Sequence, residues 1–77
     1  MERKNPELIK AFANALRQKR RQLGLSQEEL AFRTELSMSY ISLLETQNRQ
    51  PTLSVLAALA KELGVSVSEF LAEVESQ

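Results

Sequence analysis

Apolar residues recur three and four positions apart along almost the whole chain, with charged and polar residues between them. Ile9, Phe12, Ala13 and Leu16 form the first of these stripes. A period near 3.6 residues is typical of amphipathic α-helices that bury one face. Only two glycines and two prolines interrupt the pattern. The pattern therefore predicts an all-α fold.

Residues that favour helix starts divide this pattern into five helices. Asn5 is a side-chain acceptor, and the proline after it needs no N–H in the first turn. Ser26 and Ser66 are each followed three residues later by a glutamate, which is the spacing of a capping box. Ser37 offers the N-cap of a short third helix, and a fourth helix follows the loop-like stretch 48–52.

Glycine and proline mark the helix ends. Gly24 and Gly64 suit the left-handed position that closes a helix. The residue before Pro51 is disfavoured in the helical conformation, and the second helix has room only to about Thr34. The predicted core stripe of the fourth helix is Leu53, Leu56, Leu59, Ala60 and Leu63. We therefore expect one compact five-helix domain comprising residues 1–77.

The composition narrows the function classes. The 77 residues include neither cysteine nor histidine, which removes thiolate and imidazole metal ligands, the cysteine nucleophile and the usual proton-transfer side chain. We expect no enzyme, no metal and no cofactor, and no small-molecule site is evident. Lack of cysteine fits a reducing compartment, and no apolar run approaches the roughly 20 residues of a membrane span. We expect a cytoplasmic protein without membrane contact.

Charge is distributed unevenly, although the formal net charge is zero. Residues 1–33 contain eight Lys and Arg against four Glu, whereas residues 34–77 contain two against six. The basic half suits a surface that binds phosphates. Alternatively, these residues form ordinary solvated helix faces.

Two short helices joined closely, with a basic helix before them and an apolar helix after them, have the plan of a helix-turn-helix. The chain also contains an ordered series of residues at characteristic spacings: Leu16-Arg17, Arg20, Gly24-Leu25-Ser26-Gln27-Glu28-Glu29-Leu30-Ala31, Ser37, Tyr40-Ile41-Ser42, Leu44-Glu45, Arg49, Pro51 and Leu63-Gly64-Val65-Ser66. Through this series the chain resembles the Cro/CI-type, lambda-repressor-like (XRE) family over about residues 12–71. The resemblance implies a lambda-repressor-like DNA-binding domain. Helices 2 and 3 then form the helix-turn-helix, and the recognition helix, about 37–46, enters the major groove.

The resemblance assigns base reading to Met38, Ser39 and Ser42. Serine can donate to or accept from several bases, and methionine can contact a thymine methyl, so no particular operator sequence follows. Alternatively, Met38 is a partly buried residue that fills the start of the helix. Leu43 occupies a position where comparable proteins often have a polar residue, and we expect it to face outward.

Phosphate contacts are assigned by the same resemblance to Gln27, Ser37, Tyr40 and Arg49. Gln27 opens the second helix, where its side chain and nearby backbone N–H groups suit a phosphate at the positive end of the helix dipole. Ser37 is also an N-cap. Alternatively, Gln27 is only an exposed residue of the first helical turn, Tyr40 only packs its ring, and Arg49 is a solvated loop residue.

Arg20 and Glu45 match a pair that, by resemblance, links the first helix to the end of the third. A bidentate arginine–carboxylate bridge would fix the recognition helix against the scaffold. Arg17, Lys19 and Arg21 are candidates for long-range attraction of phosphates, or they form a solvated helix face.

The chain departs from the family at two turns. Glu35 and Gln47 stand where the family usually has glycine, and a non-glycine residue with positive φ costs roughly 1 kcal/mol or more. Either these turns differ, with Asn48 taking the left-handed position after the third helix, or the chain accepts this cost.

Apolar residues near the C-terminus exceed what one short helix needs to close a small core. They are Val65, Val67, Phe70, Leu71 and Val74. We expect some of them to contact a second copy of the chain; the alternative is that all are intramolecular. A twofold dimer places two recognition helices roughly 34 Å apart and predicts a nearly palindromic operator.

These patterns together predict a homodimeric transcriptional regulator of the repressor or restriction–modification controller type that binds double-stranded DNA sequence-specifically. The alternative is a protein-interaction module, such as an antitoxin or adaptor, that uses the same scaffold and its apolar fifth helix. Salt-dependent binding to duplex DNA favours the regulator, and DNA-independent capture of one protein favours the module.

Overall fold

The computed structural model describes residues 4–47 and 49–77. Within these ranges the chain forms five α-helices and no strand: α1 (Pro6–Gln22), α2 (Gln27–Thr34), α3 (Met38–Glu45), α4 (Leu53–Glu62) and α5 (Val67–Glu75). The predicted all-α class and the order of the helices are confirmed. The role considered for Asn48 lies outside the described residues. None of the helices in the described ranges combines the length and the apolar character needed to cross a membrane.

Side-chain caps begin the helices where the sequence predicted them. The Asn5 side chain accepts a hydrogen bond from the N–H of Leu8 at 3.1 Å. In the capping box of α2, Ser26 Oγ accepts from the N–H of Glu29 at 3.0 Å, and the Glu29 carboxylate accepts from the N–H of Ser26 at 3.1 Å. Thr52, which no sequence pattern singled out, caps α4 by accepting from a backbone N–H at 3.1 Å.

The core receives side chains from every helix. α1 packs against α3 and α5, α2 packs against α3 and α4, and α4 packs against α5. The largest fully buried side chains are Leu16 from α1, Leu30 from α2, Ile41 and Leu44 from α3, Leu59 from α4, and Phe70 and Val74 from α5. The α2–α3 pair therefore rests on the same core as the other three helices.

Leu53 departs from the predicted core stripe of α4. Its side chain is 83% exposed, whereas Leu56, Leu59 and Leu63 are buried. Leu53 is the first residue of α4, so only the end of the predicted stripe departs from the core. Its assignment to the core is wrong, and the rest of the stripe is confirmed.

Candidate nucleic-acid interface

The turn between α2 and α3 is short and fixed at both ends. Glu35 lies in the left-handed region with a φ of 60°. The N–H of Leu36 donates to the carbonyl of Ala31 at 3.0 Å, and the half-buried Leu36 side chain packs against the core. After α3, Gln47 also lies in the left-handed region, with a φ of 67°. The chain therefore accepts a positive φ at both positions where the family usually has glycine.

The residues expected to read bases lie on one face of α3. Met38 and Ser39 are exposed, and Ser42, one turn later, is half-buried. Residues three and four apart are neighbours on a helix surface. On the opposite side, Ile41 and Leu44 are fully buried. Met38 is 51% exposed, so about half of its side chain is accessible to a binding partner.

Three further candidate residues lie around α3. Ser37 is exposed and caps the helix by accepting from the N–H of Tyr40 at 3.0 Å. The half-buried side chain of Tyr40 packs against the core. Arg49 is exposed in the loop after α3. Leu43, which we expected to face outward, is half-buried.

A buried ion pair joins α1 to the end of α3. Arg20 Nε donates to Glu45 Oε2 at 2.7 Å, and Arg20 Nη2 donates to Glu45 Oε1 at 2.9 Å. The third guanidinium nitrogen, Nη1, donates to the carbonyl of Leu25 at 2.8 Å. The hydrogen bonds to Glu45 raise the pKa of Arg20 above its ordinary value, although burial acts in the opposite direction. The structure thus brings together the two residues that the sequence matched as a pair, in the forked geometry that fixes orientation.

Gln27 joins this pair through the same carboxylate. Its side chain is half-buried at the start of α2, and Nε2 donates to Glu45 Oε1 at 3.2 Å. The residue expected to bind phosphate therefore already has a partner within the protein. No local sequence pattern indicated this contact, because the two residues are 18 positions apart.

The first turns of α2 and α3 offer backbone donors. The first N–H groups of any helix lack a carbonyl partner within the helix. Ser26 and Ser37 each take the N–H at the third helical position. The N–H groups at the first two positions of each helix can therefore donate to an external acceptor such as phosphate.

Two of the basic residues considered as phosphate attractors have partners within the protein. Lys19 Nζ donates to Glu73 Oε1 at 3.0 Å and so joins α1 to α5. Arg17 Nη2 donates to Asn14 Oδ1 at 3.0 Å. Arg21 is exposed. Of the three, only Lys19 is paired with a carboxylate, so Arg17 and Arg21 remain candidates for the long-range role.

The residues expected at a dimer contact separate into two groups. Phe70 and Val74 are 0% and 2% exposed within the chain's own core. Assigning these two to a dimer contact is wrong, because both side chains are already buried by the chain's own helices. Val67 and Leu71 are 37% and 40% exposed, and Val65 is half-buried. Val65, Val67 and Leu71 remain as candidates.

Leu71 borders a shallow apolar groove between α1, the loop before α4, and α5. The groove has a volume of about 170 Å³ and is lined by Asn5, Leu8, Ile9, Phe12, Gln50, Pro51, Leu56, Leu71 and Val74. Leu8 is 51% exposed. The apolar surface around Leu71 therefore extends from α5 onto α1.

Phe32 is an exposed residue that sequence reasoning missed. Its side chain is 84% exposed on α2. The signal was present, because Phe32 lies two positions after the buried Leu30 and therefore on the other side of the helix. Aromatic residues are enriched at protein interfaces, so Phe32 is a candidate for contact with another protein.

Two glutamates act as helix caps. Glu29 and Glu69 accept hydrogen bonds from the backbone N–H groups of Ser26 and Ser66, and these bonds lower the pKa of each carboxyl. Within residues 4–47 and 49–77, no group of three His, Cys, Asp or Glu side chains is placed to hold a metal ion.

Comparison with protein families and curated proteins gives matches across this region. A family model described as helix-turn-helix matches residues 16–70. The uncharacterized HTH-type transcriptional regulator y4dJ of Sinorhizobium fredii is 46% identical over 52 residues, which are 68% of each chain. The HTH-type transcriptional regulator PuuR of Escherichia coli is 43% identical over 56 residues, which are 73% of this chain but 30% of PuuR.

Solved structures share this fold over most of the chain. The clp gene regulator ClgR from Corynebacterium glutamicum has a TM-score of 0.86 and 32% identity, covering 97% of this chain and 96% of ClgR. The restriction-modification controller protein C.Esp1396I, solved as a tetramer with its natural 35 base-pair operator, has a TM-score of 0.83 and 29% identity, covering 90% of this chain and 92% of its own. The fold is therefore lambda-repressor-like, and the chain belongs to the helix-turn-helix family of the Cro/CI (XRE) type.

Proposed function

We propose that this protein is a homodimeric transcriptional regulator that binds double-stranded DNA sequence-specifically, with α3 in the major groove. The observation that carries the proposal is the two-sided character of α3. One face of α3 is accessible and carries Met38, Ser39 and Ser42. The other face is buried, and the Arg20–Glu45 pair holds the end of the helix in place. A recognition helix needs one face for base edges and one for a rigid scaffold. The operator complex of C.Esp1396I supports this proposal.

The proposed reading residues suit contacts that discriminate bases without a bidentate pairing. Ser39 and Ser42 each carry one hydroxyl, which both donates and accepts. Met38 offers apolar contact to a thymine methyl. The base preference at each contacted base pair then depends on which base edge the serine hydroxyl reaches.

The proposed phosphate contacts flank this face. Gln27 and Ser37 stand at the starts of α2 and α3, beside the backbone N–H groups that complement an anion. Tyr40 contributes its hydroxyl and Arg49 its guanidinium. These contacts fix the position of α3 on the duplex and carry no sequence information.

The dimer is proposed to form through Val65, Val67 and Leu71. Twofold symmetry places the two α3 helices roughly one DNA turn apart, so the operator is nearly palindromic. We propose that residues 1–77 act as a single DNA-binding domain. The region of PuuR that matches this chain is 30% of PuuR. We propose that this protein acts in the cytoplasm.

We assign the chain to binding and not to catalysis, in line with relatives named as transcriptional regulators. The second candidate is a protein-interaction module, such as an antitoxin or adaptor. The exposure of Phe32 and Leu71, at 84% and 40%, favours a protein contact on this scaffold. Both functions are compatible with one molecule.

The experiment that tests the proposal is selection of random duplexes by the purified protein, followed by titration of the enriched duplex at two salt concentrations. A nearly palindromic motif that binds at least about 1,000-fold more tightly than random DNA supports a sequence-specific regulator. Absence of enrichment, with weak or salt-insensitive binding, overturns it in favour of the interaction module.

A further inference from the structure

The carboxylate of Glu45 connects three helices. It lies at the end of α3, is 2% exposed, and accepts hydrogen bonds from Arg20 of α1 and Gln27 of α2. Arg20 occupies both carboxylate oxygens, and Gln27 shares Oε1 with it. Charged acceptors form stronger hydrogen bonds than neutral ones. Glu45 therefore holds the Gln27 side chain as well as the end of α3.

The chemistry of this contact fixes the orientation of the Gln27 amide. An ionised carboxylate only accepts hydrogen bonds, so the amide must turn its nitrogen, and not its oxygen, towards Glu45. The nitrogen carries two hydrogens, and the contact at 3.2 Å uses one of them. The second N–H remains available to another acceptor.

The position of Gln27 decides which acceptor that is. Gln27 is the first residue of α2, where the backbone N–H groups of Gln27 and Glu28 lack carbonyl partners within the helix. A phosphate at this end of the helix meets the backbone donors and the helix dipole together. An amide that presented its oxygen there would repel the phosphate.

We propose that Glu45 is a positioning residue that orients the Gln27 amide, so that its second N–H is presented to a DNA phosphate at the start of α2. The inference rests on the proposed DNA-binding function. It adds a coupling between the position of the recognition helix and the phosphate contact of Gln27. The same carboxylate seats the recognition helix through Arg20 and aims the phosphate donor through Gln27. The base-reading and backbone contacts are thereby held in one rigid unit.

A double-mutant cycle tests the coupling. The variants are Glu45→Gln, Gln27→Met, and both together; methionine keeps the length of the side chain but removes its donors. We expect Gln27→Met to weaken selected and random duplexes alike, by about 3- to 10-fold, as expected for loss of one hydrogen bond. We expect Glu45→Gln to weaken binding by a similar factor when Gln27 is present, and to have at least threefold less effect on binding in the Gln27→Met background.

Melting temperatures separate positioning from a purely structural role. A structural role predicts that Glu45→Gln lowers affinity by the same factor in both backgrounds, in step with its loss of thermal stability. That outcome overturns the positioning role. If wild-type protein binds no duplex, both the proposed function and this inference fail; if it binds and the effects are additive, only the inference fails.

A second measurement needs no variant at Glu45. In ¹⁵N-labelled wild-type protein, the two Gln27 side-chain N–H signals report the two hydrogens separately. We expect one to be protected from exchange in the free protein, because Glu45 holds it, and the other to become protected when the selected duplex is added. Equal exchange of both signals in the free protein overturns the inference, as does no change at either signal on DNA binding.

Discussion

The rings of Phe12 and Phe70 meet edge to face, with 5.8 Å between their centroids and an angle of 84° between their planes. Both side chains are buried, at 4% and 0% exposure. An aromatic pair of this kind contributes about 0.5–1.5 kcal/mol beyond the burial of its surface. The contact packs α5 against α1 within one chain. The inner face of α5 is therefore buried in the monomer and is not available for a dimer contact.

The two faces of α5 are expected to respond differently to substitution. Phe70→Ala should lower the free energy of unfolding by about 3–5 kcal/mol, because it removes a fully buried ring and leaves a cavity. That loss approaches the whole stability of many small domains. Urea denaturation measures this free energy. A loss below about 1 kcal/mol would show that Phe70 is not part of the core.

Leu71→Ser tests the outer face of the same helix. We expect it to raise the dimer dissociation constant by about 10-fold or more. Leu71 is 40% exposed, so covering the rest of its side chain contributes about 0.6–1.2 kcal/mol, and twofold symmetry doubles the loss. Sedimentation equilibrium measures this constant. Ala72→Ser, at an exposed neighbouring position on α5, is the matched control and should leave the constant unchanged. Equal behaviour of the two variants would place the dimer contact elsewhere.

Base preference is expected to follow Ser39 and Ser42. Repeating the duplex selection with Ser39→Ala or Ser42→Ala should change the preferred base at one position in each half-site, because the hydroxyl that discriminated there has been removed. The expected loss of discrimination is about 0.5–1.5 kcal/mol for each position, the net value of one hydrogen bond. Ser54→Ala, an exposed serine on α4, is the control. An unchanged ranking of sites in both α3 variants would mean that α3 reads DNA through other residues.

Arg49 is expected to contribute to affinity without contributing to base preference. Arg49→Ala should weaken selected and random duplexes by the same factor, since phosphates are common to all sequences. The slope of log affinity against log salt should fall in magnitude by about 0.9 for each phosphate that the protein no longer neutralises. Arg49→Lys keeps the charge and should keep the slope. A change of preferred sequence in Arg49→Ala would instead assign this residue to base reading.

Features set by neighbouring residues were predictable from sequence. Ser26 and Ser66 each cap a helix because the partner glutamate is three positions away, and both boxes form as the spacing predicts. Leu56, Leu59 and Leu63 share one helix face by spacing alone, and all three are buried. Such features depend little on how the helices are packed.

Features set by tertiary packing were not predictable from the sequence. The spacing of α5 gives an apolar face, but only the position of α1 decides that Phe70 faces inward while Leu71 stays exposed. Leu53 continues the stripe of α4 by spacing, yet it lies beyond the edge of the core. The contact between Gln27 and Glu45 crosses 18 positions and depends on how α2 and α3 are placed. None of these leaves a local trace in the sequence.

Acid is expected to weaken the two capping boxes. The pKa of Glu29 and of Glu69 is lowered in the folded protein by hydrogen bonds from Ser26 and Ser66. A lowered folded pKa stabilises the native state above the unfolded value of about 4.3, and this stabilisation is lost as the pH falls through 4.3 towards the folded pKa.

A glutamine variant isolates this contribution. Glu29→Gln with Glu69→Gln keeps an acceptor at the third helical position but removes the titration. The melting temperature of wild type should therefore fall more steeply between about pH 5 and pH 3 than that of the variant. Parallel curves for the two proteins would show that other carboxyls account for the acid sensitivity.

Glycine is expected to stabilise the two turns that flank α3. Glu35 and Gln47 have φ values of 60° and 67°, and a side chain in this region costs about 1–2 kcal/mol. Glycine removes that strain. It also lowers stability by about 0.5–1 kcal/mol, because it gives the unfolded chain more conformational entropy to lose on folding. Glu35→Gly and Gln47→Gly should each raise the free energy of unfolding by about 0.5–1 kcal/mol, measured by denaturant unfolding.

The reverse substitution provides the control. Gly64 has a φ of 77°, and an added Cβ would meet no atom within 4 Å. Gly64→Ala should therefore destabilise the protein by about 1 kcal/mol through backbone strain alone. Opposite signs at Glu35 and Gly64 would establish left-handed strain as the common cause. If Glu35→Gly and Gln47→Gly both lower stability, these side chains make stabilising interactions that outweigh the strain of their turns.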